Sequence, residues 1–427
     1  MKKDIIHKML RKLKPKSEFS KNSISLITGS TISQAIPAAL SPILTRIYTP
    51  EEYGLLAVFM SVSGIFATLA TAKYDMAIIM PKSDKEAANI ILLSFLMTFL
   101  ISLISLFIVH FLNNEIVDFL GKPEISNWLY FIPLTVILSG LHQSLSMWST
   151  RKKRFKRISN NMILGTITAS SMNLSFGLSN FGVLGLIFST IIAQSITIWH
   201  LLIRSFKNDS SLIRYTNKLK IIKVMKKYKK MPLFIMPNTL IDNIRVTSLN
   251  ILVIQFFTTA ILGQLSLAFK VIRVPMTIIY SALIQVFMQK LAVSPKNDYY
   301  RLLSKFLSKT TLIGIPLYSF MYFVSPDAFA FVFGEQWRFA GEVGSILSIW
   351  MFFHIMTNPV GHFLILVNKQ QILLLFSIFY VLIVFGIFFI FNTGEFLTTF
   401  MRMALTMSFF NSVLIIYSLI LAKKLSK

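Results

Sequence analysis

Apolar stretches of about 20 residues recur along the whole sequence, and this recurrence constrains the fold more than any other feature. Each stretch is about long enough for a helix to cross the hydrocarbon core of a bilayer. With 54% hydrophobic and 14% charged residues, the chain is too apolar for an ordinary soluble domain. We therefore predict an all-α, polytopic membrane protein with twelve transmembrane helices, at approximately 22–47, 54–80, 87–112, 128–150, 158–178, 182–204, 232–257, 264–289, 304–325, 340–366, 371–391 and 396–421.

Positive charge is distributed unevenly across this predicted topology. Most of the 43 Lys and Arg lie in the two tails and in alternate loops, which would all share one side of the membrane. This positive-inside pattern places both termini in the cytoplasm. The basic runs at 151–157 and 218–230 are topology determinants first and candidate sites for anionic lipid headgroups second. Neither run belongs to a module that reads bases, so the net charge of +26 does not indicate nucleic-acid binding.

The longest charged interruption falls after the sixth predicted helix and divides the chain into two halves. A faint internal repeat supports this division, because TPEEYGLLAVFMSV (49–62) aligns without gaps on TTAILGQLSLAFKV (258–271). Both segments fall at the turn between the first and second helix of their half. The predicted organisation is a basic cytoplasmic N-tail (1–21), a six-helix bundle (22–204), a basic cytoplasmic linker (205–231), a second six-helix bundle (232–421) and a cytoplasmic C-tail (422–427).

Signatures of enzymatic chemistry are missing from the sequence. The chain has no cysteine and no GxxxxGK[ST] loop, which excludes thiol chemistry and argues against a built-in ATPase. Its six histidines are scattered, so we predict no catalytic residue, no metal site and no cofactor. His354 and His362 share the predicted tenth helix, where helix packing and proton handling are both open interpretations.

The informative residues are charges inside the predicted helices, because a charge near the bilayer centre costs about 3 kcal/mol on insertion scales. Lys270 and Arg273 are cations at i, i+3, so they share a helix face and cannot neutralise each other. Two stacked cations within the bilayer require an anion or water in front of them. Asp242 and Arg245 have the same spacing, which allows an intrahelical ion pair as well as a role in binding.

The remaining internal charges have competing interpretations. Arg46 and Lys73 could each reach an interface along their helix, and Arg402 has no local partner. Cations outnumber acids in the set, which favours an anionic cargo over a cationic one. Prolines in the first and eighth helices would bend the helices that carry cations. The candidate anion-binding residues are Arg46, Arg245, Lys270, Arg273 and Arg402, the candidate coupling or ion-pair residues are Lys73, Asp75 and Asp242, and the candidate hinges are Pro37, Pro42 and Pro275.

With these residues in view, the chain resembles the Wzx-type oligosaccharide flippases, in the polysaccharide biosynthesis family of the multidrug/oligosaccharidyl-lipid/polysaccharide (MOP) exporter superfamily. The first half carries the resemblance in SPILTRIYTPEEYGLLAVFMSV (41–62) and KYDMAIIMPKSDKEAANI (73–90). The second half carries it in KKYKKMPLFIMPNTLIDNI (226–244) and GQLSLAFKVIRVPMTIIYSALIQVFMQKLA (263–292). The resemblance covers nearly the whole length.

The resemblance implies a V-shaped, MATE-like pair of six-helix bundles with a cationic central cavity. Members of this kind move an undecaprenyl-diphosphate-linked oligosaccharide from the cytoplasmic to the periplasmic leaflet of the bacterial inner membrane by alternating access, for O-antigen (lipopolysaccharide) or capsule assembly. By that analogy Arg46, Lys270 and Arg273 would engage the diphosphate. The chain has only twelve predicted helices and so lacks the two extra helices of lipid II flippases. A peptidoglycan precursor is therefore a less favoured cargo.

Partners implied by the same resemblance are the lipid-linked oligosaccharide, membrane lipids, and the polymerase and chain-length regulator of the pathway. The sequence does not fix the oligomeric state, and a monomer is compatible with it. A flippase is a transporter, so we predict no enzymatic activity. Two other functions compete with this interpretation. A MATE-like exporter of small molecules is disfavoured by the excess of internal cations. A membrane-embedded polymerase or ligase is disfavoured because no large external loop is predicted.

Overall fold

The computed structural model describes residues 18–209, 215–274, 284, 287–288, 290–291 and 293–426, and these residues form helices and turns without a β-strand. Prediction and structure therefore agree on an all-α fold. In chain order the helices are α1 Glu18–Ile47, α2 Pro50–Leu69, α3 Asp84–Phe111, α4 Asn113–Leu120, α5 Ser126–Leu129, α6 Ile132–Arg151, α7 Phe155–Leu178, α8 Gly182–Asp209, α9 Lys218–Lys227, α10 Met236–Phe256, α11 Thr259–Ile272, α12 Tyr299–Phe333, α13 Arg338–Leu366, α14 Gln370–Ile390 and α15 Phe396–Leu425.

Seven of the described helical segments are long and apolar enough to cross a bilayer, and they fall on α2, α3, α8, α12, α13, α14 and α15. An eighth results if Pro123–Leu129 and Ile132–Arg151, which meet at a bend of 49°, count as one span. The chain is thus a multi-pass membrane protein. The count of twelve crossings stays a prediction, because α1, α7, α10 and α11 fall short of these criteria in length or hydropathy.

The second predicted helix, 54–80, is wrong from residue 70 onward. Helix α2 ends at Leu69, Ala72 and Lys73 adopt positive φ angles of 47° and 60°, and a short 3₁₀ helix follows at Tyr74–Ile79. The reason is packing, since Tyr74 and Ile78 are buried in an apolar cluster with residues of α3 and α6. A continuous α-helix would carry these side chains away from that cluster.

Two compact units divide the chain. The first contains the described parts of Met1–Leu40, Ser63–Phe111 and Leu129–Leu240, and the second contains Ser41–Val62, Leu112–Trp128 and the described parts of Ile241–Lys427. The units thus differ from the predicted halves of the chain, whose boundaries at 205–231 remain a prediction. In the first unit α9 lies within the predicted linker, and its Val224 is buried while its lysines face outward.

The repeat in the sequence corresponds to two helix starts in the second unit. Thr49 caps α2 in a capping box, in which the Thr49 N–H donates to Glu52 Oε2 at 2.7 Å and the Glu52 N–H donates to Thr49 Oγ1 at 3.2 Å. Its aligned partner, Thr258, accepts a hydrogen bond from the N–H of Ile261 at 3.3 Å and caps α11. The two segments resemble each other because both encode a threonine-capped helix start.

The aligned glycines Gly54 and Gly263 bring these two helix starts into backbone contact. A Cβ on Gly54 would lie 1.9 Å from the carbonyl oxygen of Thr259, and a Cβ on Gly263 would lie 1.8 Å from that of Pro50. Pro50 and Thr259 are themselves aligned in the repeat, so the contact is reciprocal. Glycine is required at both positions because any side chain would push the two helices apart.

Among the proposed hinge residues, Pro37 and Pro42 lie within α1, which the structure assigns as one helix from Glu18 to Ile47. Pro275 lies outside the described residues. A hinge function for the three prolines stays a prediction.

Candidate functional site

Helices α10, α11, α13 and α14 of the second unit surround a cavity of ≈ 380 Å³, which we call the central-helix cavity. Three of the predicted anion-binding residues line it: Arg245 from α10, and Lys270 and Arg273 from the end of α11. The i, i+3 spacing explains why Lys270 and Arg273 both line the cavity, because residues three apart project from the same face of a helix. Sequence reasoning thus selected side chains that the fold brings together.

Among the residues that the structure describes, no carboxylate lines the central-helix cavity. Lys270 and Arg273 are both exposed to its space, and neither takes part in an ion pair within the part of the chain that the structure describes. The sequence reinforces this, since no Asp or Glu occurs between Asp242 and Asp298. Consequently, no acidic residue in the surrounding sequence or in the described cavity wall neutralises the positive charge of α11.

Arg245 has a different environment from the two α11 cations. Its Nε lies 4.0 Å from Asp242 Oδ1, at the limit of an ion pair, and the Asp242 side chain is 53% exposed. Its guanidinium also lies 5.4 Å from the centroid of the Tyr380 ring. An exposed pair at this distance contributes little, about 0–1 kcal/mol, so Arg245 keeps most of its capacity to bind an anion.

Aromatic side chains form part of the wall between these cations. The Trp350 ring lies 5.9 Å from Phe269 and 6.3 Å from Tyr380, centroid to centroid. The Arg273 guanidinium lies 4.7 Å from the Phe269 ring centroid, a cation–π arrangement. These contacts hold the arginine head against a rigid surface, which limits the conformational entropy lost on binding.

Two buried donors in the same wall have no acceptor among the described residues. They are Arg245 Nε and Trp350 Nε1. A buried N–H without a partner costs about 1–3 kcal/mol, so such groups normally find an acceptor. An anion or a water molecule in the cavity would supply it. Both groups therefore indicate a cavity that accommodates hydrogen-bond acceptors.

The other two predicted anion-binding residues do not line this cavity. Arg46 is exposed in the last turn of α1. Arg402 is exposed on α15 and donates from Nη1 to the carbonyl oxygen of Phe391 at 2.9 Å, just beyond the end of α14. That hydrogen bond satisfies a carbonyl that the helix end leaves open, which is a structural role.

Lys73 and Asp75 lie in the first unit, on the turn and the 3₁₀ helix after α2. Asp75 is buried with 4% exposure and accepts a hydrogen bond from Thr71 Oγ1 at 2.5 Å. Neither residue forms an ion pair in the portions of the chain that are described. Their proposed part in coupling remains untested.

Sequence reasoning missed Trp350, Tyr380 and Phe269 in the cavity wall. Aromatic residues in apolar helices pack equally well against lipid and protein, so their positions gave little signal. His354, considered in the sequence for packing or proton handling, lies in the wall as well. Across the residues that the structure describes, no group of three His, Cys, Asp or Glu is arranged to hold a metal ion.

A family model described as polysaccharide biosynthesis protein matches residues 43–342 of the chain. The chain belongs to this family. The match includes α10 and α11, which carry Arg245, Lys270 and, at the end of α11, Arg273, together with the first turn of α13. A search of curated protein sequences finds no match.

Solved structures of the MOP superfamily share the fold of this family member. The lipid II flippase MurJ in an inward closed conformation has a TM-score of 0.74 and 13% identity, over 94% of this chain and 87% of that chain. An inward-facing multidrug resistance MATE transporter has a TM-score of 0.67 and 14% identity, over 93% of this chain and 94% of that chain. An outward-facing MATE transporter has a TM-score of 0.58 and 15% identity, over 95% of each chain. The likeness confirms the predicted MATE/MOP-like fold.

Proposed function

We propose that the protein is a flippase that moves an undecaprenyl-diphosphate-linked oligosaccharide from the cytoplasmic to the periplasmic leaflet of the bacterial inner membrane, with both termini in the cytoplasm. The family, whose description is polysaccharide biosynthesis, and the likeness to flippase and exporter structures support this class of function. The cargo would serve assembly of a surface polysaccharide, either O-antigen or capsule.

The observation that carries the proposal is the pair of cations Lys270 and Arg273, which face a cavity with no carboxylate among its described lining residues. A diphosphate headgroup cannot cross hydrocarbon unaided, because an unpaired charge pays a large desolvation penalty there. Cations exposed to a polar space replace the lost hydration, while the polyprenyl chain stays in lipid. The transport changes no covalent bond.

Arg245, Lys270 and Arg273 are the residues we propose as diphosphate ligands. Each charge-assisted hydrogen bond to a phosphate contributes about 1.5–3 kcal/mol, which corresponds to about a tenfold to hundredfold change in binding. A cationic drug would be repelled by the same set. This charge pattern favours the flippase over a multidrug exporter.

The test is transport by the double variant Lys270→Gln/Arg273→Gln. A chromosomal deletion strain that carries the variant should accumulate lipid-linked oligosaccharide and lose surface glycan, at a protein level equal to wild type. Lys207→Gln, an exposed lysine in the last turn of α8, is the matched control and should support normal export. Normal export by the double variant would refute the site, and resistance to cationic dyes that depends on the protein would favour the drug exporter.

A further inference from the structure

A second cationic cavity lies in the same unit but shares no residue with the first. Its volume is ≈ 530 Å³, larger than the ≈ 380 Å³ of the central-helix cavity. Among the described residues, four cations and three apolar side chains line it, and we call it the α12 cavity. The lining residues are Lys290, Arg301, Lys305, Lys309, Phe287, Leu302 and Phe306.

Three of these cations form a row on α12. Arg301, Lys305 and Lys309 are spaced at i, i+4 and i+8, which places them one above another on one helix face. Like charges four residues apart destabilise a helix by about 0.2–0.5 kcal/mol per pair. Helix stability therefore does not account for the row.

The row is poorly neutralised. Arg301 pairs with Asp298 at 3.3 Å, through a side chain that is 79% exposed. Lys290, Lys305 and Lys309 take part in no ion pair between described residues. The neighbouring sequence 275–292 contains no Asp or Glu that could pair with them. The α12 cavity is thus a concentrated patch of positive charge.

The position of the row along α12 corresponds to the depth of lipid headgroups. From Lys309 to the end of α12 at Phe333, a helix with a rise of about 1.5 Å per residue extends about 36 Å. The hydrocarbon core is about 30 Å thick, so the segment beyond Lys309 is sufficient to cross it. Lys309 then lies near the boundary of the core, and Lys305 and Arg301 lie progressively nearer to water.

The wall of the α12 cavity combines this charge with an aromatic surface. The Phe287 and Phe306 rings lie 4.4 Å apart, centroid to centroid, and Phe287 is 5% exposed within an apolar cluster. Charges that only determine topology need no cavity and no common face. Cations that converge on a cavity beside apolar side chains suit a ligand with a phosphate head and a hydrocarbon tail.

We propose that the α12 cavity binds the phosphate headgroup of a membrane lipid, with Lys305 and Lys309 as its main ligands. Two sources share this chemistry: an anionic phospholipid of the bilayer, and a polyprenyl diphosphate that waits outside the central-helix cavity. The proposal rests on the residues of the α12 cavity and does not require that Lys270 and Arg273 bind cargo.

The test compares two double variants of the full chain, purified in a neutral detergent. Lys305→Gln/Lys309→Gln removes two cations of the cavity, and Lys423→Gln/Lys424→Gln removes two exposed lysines from the last turn of α15 as a charge-matched control. Short-chain phosphatidylglycerol is one probe. Farnesyl diphosphate is the other, titrated with Lys270→Gln/Arg273→Gln also present, so that binding at the central-helix cavity does not contribute. Native mass spectrometry gives the affinities, and thermal melts verify folding.

We expect the cavity variant to bind at least one probe about tenfold or more weakly, and the control to change by less than about threefold. Loss of phosphatidylglycerol alone identifies a bilayer lipid, and loss of farnesyl diphosphate alone identifies the cargo headgroup. Loss of both identifies a general phosphate site. Lys309→Arg should retain affinity because it keeps the charge. Equal losses in the cavity and control variants, unchanged affinity, or no binding by the wild type would overturn the proposal.

Discussion

Cations occur in two contrasting environments in this protein. In the first unit, cations at the end of α6 and just after it are paired: Arg151 lies 2.8 Å from Asp84, and Arg154 lies 2.5 Å from Asp209. In the second unit, Lys270 lines a cavity whose described wall contains no carboxylate. The two regions carry similar side chains, so the difference lies in what the fold places opposite them.

The paired region has the features of a structural junction. Arg151 is 9% exposed and donates from Nη1 to the carbonyl oxygens of Ile78 at 3.2 Å and Pro81 at 2.6 Å. It thereby joins the end of α6 to the chain that leads into α3. Such an arginine stabilises the fold because its charge and its hydrogen-bond donors are satisfied. Lys270 and Arg273 take part in no ion pair between described residues, so their charge stays available to a ligand.

The largest difference between the two regions should appear in stability. Arg151→Ala would leave the partly exposed Asp84 with only Lys152, and two carbonyl oxygens without their donor. We expect a loss of about 3 kcal/mol in the free energy of unfolding, because each buried acceptor left without its donor costs about 1–3 kcal/mol. Lys270→Ala should leave that free energy within about 0.5 kcal/mol, since it breaks no ion pair. Denaturant unfolding in detergent measures both, and similar losses would contradict the distinction.

Asp209→Asn tests the paired region through pH. Burial alone would raise the pKa of Asp209, but hydrogen bonds from Arg154 and Trp148 outweigh it and lower the pKa. A carboxyl with a lowered pKa in the folded state contributes stability above its unfolded pKa, about 3.9, and loses it as pH falls through the folded value. We expect Asn to cost about 1–3 kcal/mol at pH 7.

The gap in melting temperature between wild type and Asp209→Asn should therefore narrow from pH 7 to pH 3. Wild type begins to lose the contribution of its carboxylate once the pH falls below the unfolded pKa, and the variant has none to lose. A gap of constant size would show that Asp209 acts through shape or packing and that its charge is unimportant.

A carboxylate inserted into the cavity should make the second region resemble the first. Ser266 lines the central-helix cavity one helical turn before Lys270, so Ser266→Asp places an acid at i and a cation at i+4. We expect transport to fall about tenfold while stability changes by less than about 0.5 kcal/mol. Ser266→Asn is the matched neutral control. Equal transport by the Asp and Asn variants would mean that free positive charge is not what the cavity supplies.

Much of the fold follows from the sequence because the bilayer fixes the length of apolar helices. The described part of every predicted span contains helix, and the family resemblance is confirmed. The error at 70–80 arose because Tyr74 and Ile78 are as apolar as lipid-facing residues, and only tertiary packing reveals that they are buried in protein. Hydropathy does not distinguish the two environments.

The candidate site was predictable in part for a related reason. Charges in apolar helices are expensive, so Arg245, Lys270 and Arg273 were prominent in the sequence. Lys305 and Lys309 were not, because cations at the start of a helix are what the positive-inside pattern predicts. Their spacing of four residues was the available signal. Only the fold shows that side chains with this spacing line a common cavity.

Arg402 provides the smallest test of the comparison, because it is a sequence-predicted ligand that the structure pairs. Its hydrogen bond to the Phe391 carbonyl gives it a protein partner, as Arg151 has, although its surroundings are exposed. We expect Arg402→Gln to lower the free energy of unfolding by about 0.5–1.5 kcal/mol, the usual contribution of one hydrogen bond, and to leave transport unchanged. The deletion-strain export assay and denaturant unfolding separate the two effects. A transport loss as large as that of Lys270→Gln, at unchanged stability, would instead return Arg402 to the set of diphosphate ligands.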